Sequence, residues 1–507
     1  MQKDVLGFHR RIFAPSRSMR LLVGGFCAVL LGFSQAQPSG APSLGPASGG
    51  DLPPALERKL GEAIMVEGRR DPDYISDPDI NQYLTSMGRR LAAFAPAGAP
   101  DIEVFGVKDA VINAFAMPGG FIGINTGLII STGSESELAG VLAHEISHVT
   151  QRHMARGLTQ QKQSGHIALA SIAAALLAAM VPGGGNAAVG IAAFGQAAAL
   201  DQQLGFSRDA EQEADRTGFD MLSRAGYDPN GMVRMFAKMT NAASLNEGVR
   251  GGVYATTHPL SIQRMTDMQN RAQQLKQVEH RSSPDYWYVR AKARVLQAVD
   301  SKALQLAGEQ LQEEVRTTAG VQRSAAYYGL SLIASQSKNY KLATQYLKSA
   351  QSDFSVSPFL SVQSIDIDLA LGGYAAALAT AQSDLKKWPD NLVFSMRIAQ
   401  ALEKQGRDRE LMDFLGQQTK RWPTEVPWLY QMLGKAQERA GQQVASRESM
   451  ATFYQLTGAL PAAMSQLQQA RTISTDFYQQ SQIDVRVQQI RQLMADERQL
   501  LEKFKSL

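Results

Sequence analysis

Ser134-Glu135-Ser136-Glu137-Leu138-Ala139-Gly140-Val141-Leu142-Ala143-His144-Glu145-Ile146-Ser147-His148 opens on acidic residues, continues through small and apolar ones, and ends with two histidines four apart. Carboxylates favour the positive end of a helix, so the stretch predicts a helix from about Ser134 to Arg156. Residues four apart share a helical face, which puts the imidazoles of His144 and His148 side by side with Glu145 next to them. Two nitrogens at that spacing suit a tetrahedral zinc ion, and the neighbouring carboxylate suits removal of a proton from water. A catalytic zinc needs a third protein ligand. The only cysteine, Cys27, falls in an N-terminal apolar run, which leaves His, Asp and Glu as candidates. Glu211-Gln212-Glu213-Ala214-Asp215 begins a second helical run in which Glu211 and Asp215 share a face. One of these two can bind metal while the other fixes the tautomer of a ligating imidazole; Glu213 points elsewhere. His153, His166 and His280 lack such spacing and read as ordinary helix or surface residues.

Working outward, Leu56 to Ala92 has helical spacing with charged faces, and Ile102 to Val107 alternates as a strand. Asn113-Ala114-Phe115-Ala116-Met117-Pro118-Gly119-Gly120-Phe121-Ile122-Gly123-Ile124 reads as an apolar hairpin with a Pro-Gly-Gly turn. Ile167 to Val181 and Ala187 to Leu200 are two apolar runs separated by Pro182-Gly183-Gly184-Gly185-Asn186, each too short to span a bilayer. Residues 167–200 are expected to form either a buried helical hairpin or an apolar cover near the site that touches membrane or unfolded substrate. Beyond Pro284 strand signals vanish. Trp388-Pro389 and Trp422-Pro423 recur at a step of 34, as do Tyr340 and Tyr374, and Ala343, Ala377, Leu411 and Ala445. A helical region with that period predicts tetratricopeptide-like repeats, whose groove binds peptides or partner proteins.

The formal charge of +4 has a local source, because residues 1–36 hold five basic side chains against Asp4 alone. With 51 basic and 47 acidic residues in all, 46 of each sign remain after that segment, and nothing in the charge favours a nucleic-acid partner. Basic residues, an apolar run from Leu21 to Phe33 and Ser34-Gln35-Ala36 predict a signal peptide cleaved near Ala36, with translation starting at Met1 or Met19. Residues 37–51, rich in Pro, Ser, Gly and Ala, read as a flexible linker. An exported chain left without a thiol fits a bacterial envelope.

Four ordered blocks are then in view: Asn113 to Gly120, His144 to His148, Glu211 to Arg216, and His258-Pro259-Leu260 with Arg264. Together they resemble the HtpX and CAAX-prenyl-protease-like zinc metallopeptidases, in particular a periplasmic branch with a C-terminal repeat arm. The resemblance implies that Glu211 is the third zinc ligand and that Asp215 supports a ligating histidine. It implies that residues 113–124 are an edge strand along which substrate adds as a further β-strand. It also implies that His258 sits in a loop able to close on the metal and keep the enzyme latent. Long spanning helices of the integral-membrane branch are absent from this sequence, which argues against prenylated substrates.

The expected protein is therefore mainly α. A zincin-type α+β catalytic domain at 52–283, with a small sheet, precedes a tetratricopeptide-like solenoid at 284–507. One Zn2+ per chain would acidify a water, whose proton Glu145 takes and later hands to the leaving amine. The expected role is a periplasmic metalloendopeptidase for quality control and assembly of outer-membrane proteins, with misfolded or stalled envelope proteins as clients. The repeat groove would meet the outer-membrane assembly machinery, with peripheral membrane contact at 167–200. The alternative is a chaperone-like assembly factor that works through the arm while its protease site stays largely latent.

Overall fold

The protein is described here as a computed structural model covering residues 53–95, 99–160, 206–245, 254, 258–259, 261–275, 280–423 and 426–505. The signal-peptide and linker readings, the 167–200 segment and His166 lie outside the described residues. Among the described residues no helix is long and apolar enough to cross a membrane.

Two helices replace the single run expected at 56–92: α1 (Pro54–Gly68) and α2 (Pro78–Ala92). α1 ends at Gly68, and Pro78 opens α2 at a first-turn position where its missing N–H costs nothing; Asp77 caps α2 by accepting from Ile80 N at 3.2 Å. Ile80, Leu84, Met87 and Leu91 then form the buried stripe of α2. β1 (Glu103–Val107), β2 (Ala114–Met117) and β3 (Phe121–Asn125) form a sheet in the order β1-β3-β2, with β1 parallel and β2 antiparallel to β3. The hairpin at 113–124 is present, but only β2 lies at an edge. β3 is the central strand, so the edge expected along 113–124 shrinks to Ala114–Met117. Gly119, at φ 80°, makes the turn, and a Cβ there would come within 2.6 Å of Arg58 Cα.

Behind the sheet run α3 (Thr126–Ser131) and α4 (Glu135–Thr150). Every residue of α4 up to Val149 is buried, as its apolar circumference requires of a central helix. It packs against α6 (Arg208–Arg224) and α7 (Asn230–Leu245). The approach is close enough that a Cβ on Gly140 would lie 2.7 Å from Met232 Cα. The helix predicted to reach Arg156 instead stops at Thr150. Arg152 takes a left-handed φ of 54°, and α5 (His153–Gln160) starts in a new direction. α8 (Ile262–Gln274) completes this first region.

α9 (Pro284–Gln297) joins this region to the helices that follow. On one side Tyr286 Oη and Arg290 Nε donate to Thr132 O at 2.9 and 3.1 Å, satisfying a carbonyl at the end of α3, and Lys292 Nζ lies 2.6 Å from both Asp77 and Asp79. On the other, Tyr288 shares a hydrogen bond with Ser324, and Arg294 pairs with Glu314. One apolar core continues from Ile122 and Leu142 through Tyr288 to Leu360.

After α10 (Ser301–Thr317) and α11 (Gly320–Gln336), the helices α12 (Tyr340–Asp353), α14 (Tyr374–Lys387), α16 (Asp408–Arg421) and α18 (Gln443–Leu456) begin at steps of 34, 34 and 35 residues. They alternate with α13 (Pro358–Ala370), α15 (Leu392–Lys404), α17 (Pro427–Arg439) and α19 (Leu460–Ile473), and α20 (Phe477–Lys505) ends the array. Helix pairs stacked at this period are a tetratricopeptide-like solenoid. Trp388 and Trp422 cap the ends of the corresponding helices α14 and α16 with the same backbone angles, φ −124° and ψ 70°. The last step of 35 displaces the expected repeat position: Ala343, Ala377 and Leu411 are buried, but their counterpart is Ser446, and Ala445 is only half-buried. The array bends back on the first region, for Gln82 Nε2 donates to Asp390 O and Gly458 lies so close to Val66 that a Cβ would be 2.2 Å from its Cγ1.

The turns between paired helices sit at Lys338, Gly372, Gly406 and Gly441, all at positive φ. In each, the next amide reaches back six residues' span, as in Asn339 N to Ala334 O at 2.8 Å and Gly373 N to Asp368 O at 2.8 Å. Lys338, at φ 58°, is the one lysine in this set of glycines. Lys338→Gly is therefore expected to raise the unfolding free energy by about 0.5–1 kcal/mol in urea titration. A lower stability would contradict the left-handed turn.

Candidate metal centre

His144, Glu145 and His148 come from α4, Glu211 and Asp215 from the first two turns of α6, and His258 from the segment between α7 and α8. Ser207 starts α6 by accepting from Ala210 N at 3.2 Å, which aims Glu211 at α4. Four ligand atoms of His144, His148, Glu211 and His258 lie within 4.8 Å of one another. His144 Nε2 is 3.0 Å from His148 Nε2, 3.3 Å from His258 Nδ1 and 3.5 Å from Glu211 Oε2. Glu211 Oε1 is 2.9 Å from His258 Nδ1 and 3.5 Å from His148 Nε2. Zinc bonds of about 2.1 Å separate tetrahedral ligand atoms by about 3.4 Å, so these spacings and this donor set fit such an ion. All four residues are buried.

Asp215 Oδ1 stands 3.1 Å from His144 Nδ1, on the far side of the ring from the cluster. Glu145 is outside the cluster but beside it: its Oε1 accepts from Tyr254 Oη at 3.1 Å and lies 3.6 Å from His258 Nε2. Burial pushes the Glu145 carboxyl above its ordinary range, against the lowering effect of the histidines. Burial also holds His148 well below the usual imidazole value, which keeps it neutral. Burial opposes charge on Glu211 and Asp215 too, yet both stay below the ordinary carboxylate range, Glu211 because of the surrounding histidines and Asp215 because of Arg264.

Around the cluster, Arg264 belongs to the fourth sequence block, whereas Tyr254 and Phe206 carry no motif that singles them out. Arg264 forks onto Asp215, Nε to Oδ2 at 2.7 Å and Nη2 to Oδ1 at 2.8 Å. Its Nη1 lies 2.6 Å from Glu211 Oε2 and donates to Pro259 O at 2.8 Å, tying both carboxylates to the loop that carries His258. Tyr254 stacks on His258 with ring centroids 4.6 Å apart, and Phe206 covers His148 at 4.0 Å. His153 is a correction to the sequence reading. The break at Arg152 turns it inward, where it is buried with Nδ1 2.9 Å from His148 Nδ1. Glu213 does point away from the cluster, but into protein, where His153 and Arg156 meet it at 3.3 and 3.0 Å. His280 stays remote from the cluster and pairs with Glu135 at 3.2 Å.

The sequence profile of peptidase family M48 matches residues 78–272, which contain all of these side chains except His280. The β-barrel assembly-enhancing protease of Escherichia coli (strain K12) is 31% identical over 457 residues, covering 89% of this chain and 91% of that one. The chain belongs to peptidase family M48. A second such relative, the β-barrel assembly-enhancing protease of Yersinia pestis, is 32% identical over 461 residues, covering 89% of this chain and 92% of that one. Metalloprotease LoiP of E. coli (strain K12) is 29% identical over 191 residues, 37% of this chain and 69% of that one. Membership of M48 makes the chain a metalloprotease, as the His-Glu-x-x-His spacing predicts.

Proposed function

We propose that the chain is a zinc endopeptidase of the bacterial periplasm that serves outer-membrane protein assembly by degrading misfolded or stalled clients. The observation that carries this reading is the convergence of two imidazoles and one carboxylate from separate helices with Glu145 beside them. His144, His148 and Glu211 would hold one Zn2+ per chain, whose chemistry is to acidify water and polarise a peptide carbonyl. Glu145 takes the proton of the attacking water and delivers it to the departing amine. Asp215 keeps His144 in the tautomer that leaves Nε2 free to ligate, and Arg264 holds Asp215 in place. The names of the two β-barrel assembly-enhancing relatives support the assembly role, and the solenoid supports delivery of clients or docking to the assembly machinery. The division proposed is a signal peptide at 1–36, a linker at 37–51, a protease region at 52–283 and a repeat arm from 284, with peripheral membrane contact at 167–200. Zinc analysis of the purified protein, with digestion of an unfolded substrate with and without chelator, tests the reading. A protein that takes up no metal, or digestion indifferent to chelation, would end it.

His258 favours a second mode of the same site. Its Nδ1 stands among the ligand atoms, where a fourth protein donor displaces the water that hydrolysis requires. This is the latent form, in which the arm works as a chaperone-like assembly factor. His258→Ala is expected to raise basal proteolysis about tenfold, on the scale of one to two kcal/mol of lost closure. An unchanged or lower rate would argue that His258 belongs to the working site.

A further inference from the structure

We infer that His153 and Glu213 form a relay that orients His148 for the metal, an inference that rests on the metal-site reading above. The two histidines of the α4 motif are held differently. His144 Nδ1 meets a carboxylate directly, Asp215 Oδ1 at 3.1 Å. His148 Nδ1 meets another imidazole, His153 Nδ1 at 2.9 Å. His153 Nε2 lies in turn 3.3 Å from Glu213 Oε2, and Arg156 Nη2 donates to the same oxygen at 3.0 Å.

The protons have one consistent arrangement. A ligating Nε2 carries no proton, so the proton of neutral His148 is on Nδ1, from which it is donated to His153 Nδ1. An accepting Nδ1 leaves the proton of His153 on Nε2, where it is donated to Glu213. Every ring nitrogen is then used, and the chain ends on a carboxylate paired with Arg156. A carboxylate behind a ligating imidazole raises its basicity and fixes the plane of the ring; here a second imidazole transmits that effect.

The backbone supports the arrangement. On an unbroken helix a residue five further on is turned about 140° away from the first. The left-handed φ of 54° at Arg152 breaks α4 from α5 and turns His153 back onto His148. Arg152 is pinned in that turn by Glu57, with Nη2 3.2 Å from Oε2. His153, His148 and Phe206 then pack ring against ring, His153 at 4.8 Å from His148 and 6.0 Å from Phe206.

Two substitutions separate orientation from packing. His153→Phe keeps a ring and removes both nitrogens; His153→Asn loses the ring but keeps an acceptor near Nδ1. Zinc affinity of the full-length mature protein, measured by competition with a chromogenic chelator, is expected to fall about 10- to 100-fold for Phe and less for Asn. Phe binding zinc as tightly as the parent would overturn the relay, because packing would then be the whole role of His153. If both bind poorly, Glu213→Leu decides, since it leaves the His153–His148 contact in place. The relay requires weaker zinc binding there as well, and parental affinity would overturn it. His144→Ala, which removes a ligand, is the reference for loss of the site itself. A parent protein that binds no zinc would defeat the metal-site reading, a result distinct from any of these.

Discussion

Replacing Glu145 by Gln is expected to lower kcat for peptide hydrolysis by about 10²- to 10⁴-fold, the range a positioned general base contributes. Gln has the size of Glu and can still accept from Tyr254 Oη, the partner of Glu145 Oε1 at 3.1 Å, so the pocket should keep its shape. Its amide cannot take a proton. Zinc content should be unchanged, because Glu145 is not among the four residues whose donor atoms converge. The pair of measurements is metal stoichiometry and single-substrate kinetics on the same preparation. Hydrolysis within a factor of ten of the parent would remove Glu145 from the role of base, and loss of zinc would make it a ligand instead.

The largest effect on stability is expected at Arg264. Its guanidinium is buried and faces Asp215, Glu211 and Pro259 O. Arg264→Met leaves two buried carboxylates without their cation, a change that costs about 3–5 kcal/mol when one partner of a buried pair is removed. The side chain of Arg264 is 3% exposed, so solvent screening does little to reduce that figure. Added zinc should restore part of the loss, because the folded state alone binds it with full affinity. The parent's dependence on pH follows from the same contact. Arg264 and His144 hold Asp215 below its ordinary value despite burial, so the stabilisation is complete above the unfolded carboxylate pKa of about 4 and fades as pH falls through the folded one. The Met variant should therefore lose less stability on acidification than the parent. A loss under about 1 kcal/mol, or an identical acid profile, would show that the fork adds little.

What can be read from the residues alone depends on how local each cause is. His144 and His148 pair on sequence grounds because one helical turn spans them. The solenoid is legible for a similar reason: each repeat is a local helix pair, and Trp-Pro repeats because proline stops a helix at the same point each time. The slip of one residue at Ser446 is not legible, because Ala445 continues the arithmetic while the fourth helix starts a residue late. His153 looks like an ordinary helix residue only if the helix runs unbroken past Thr150. The left-handed turn at Arg152, a backbone state that the side chain itself disfavours, is what faces it inward.

By itself the sequence determined the pair of imidazoles, the carboxylate next to them and the period of the arm, since each is a matter of residue spacing along a single element. The tertiary structure decided which distant groups join them. His258 lies 114 residues from His144, and Arg264 lies 49 from Asp215. Contacts at such separations depend on how helices cross, and here glycines at 140 and 218 let α4 approach its neighbours closely enough for both carboxylates and the His258 loop to arrive at one point.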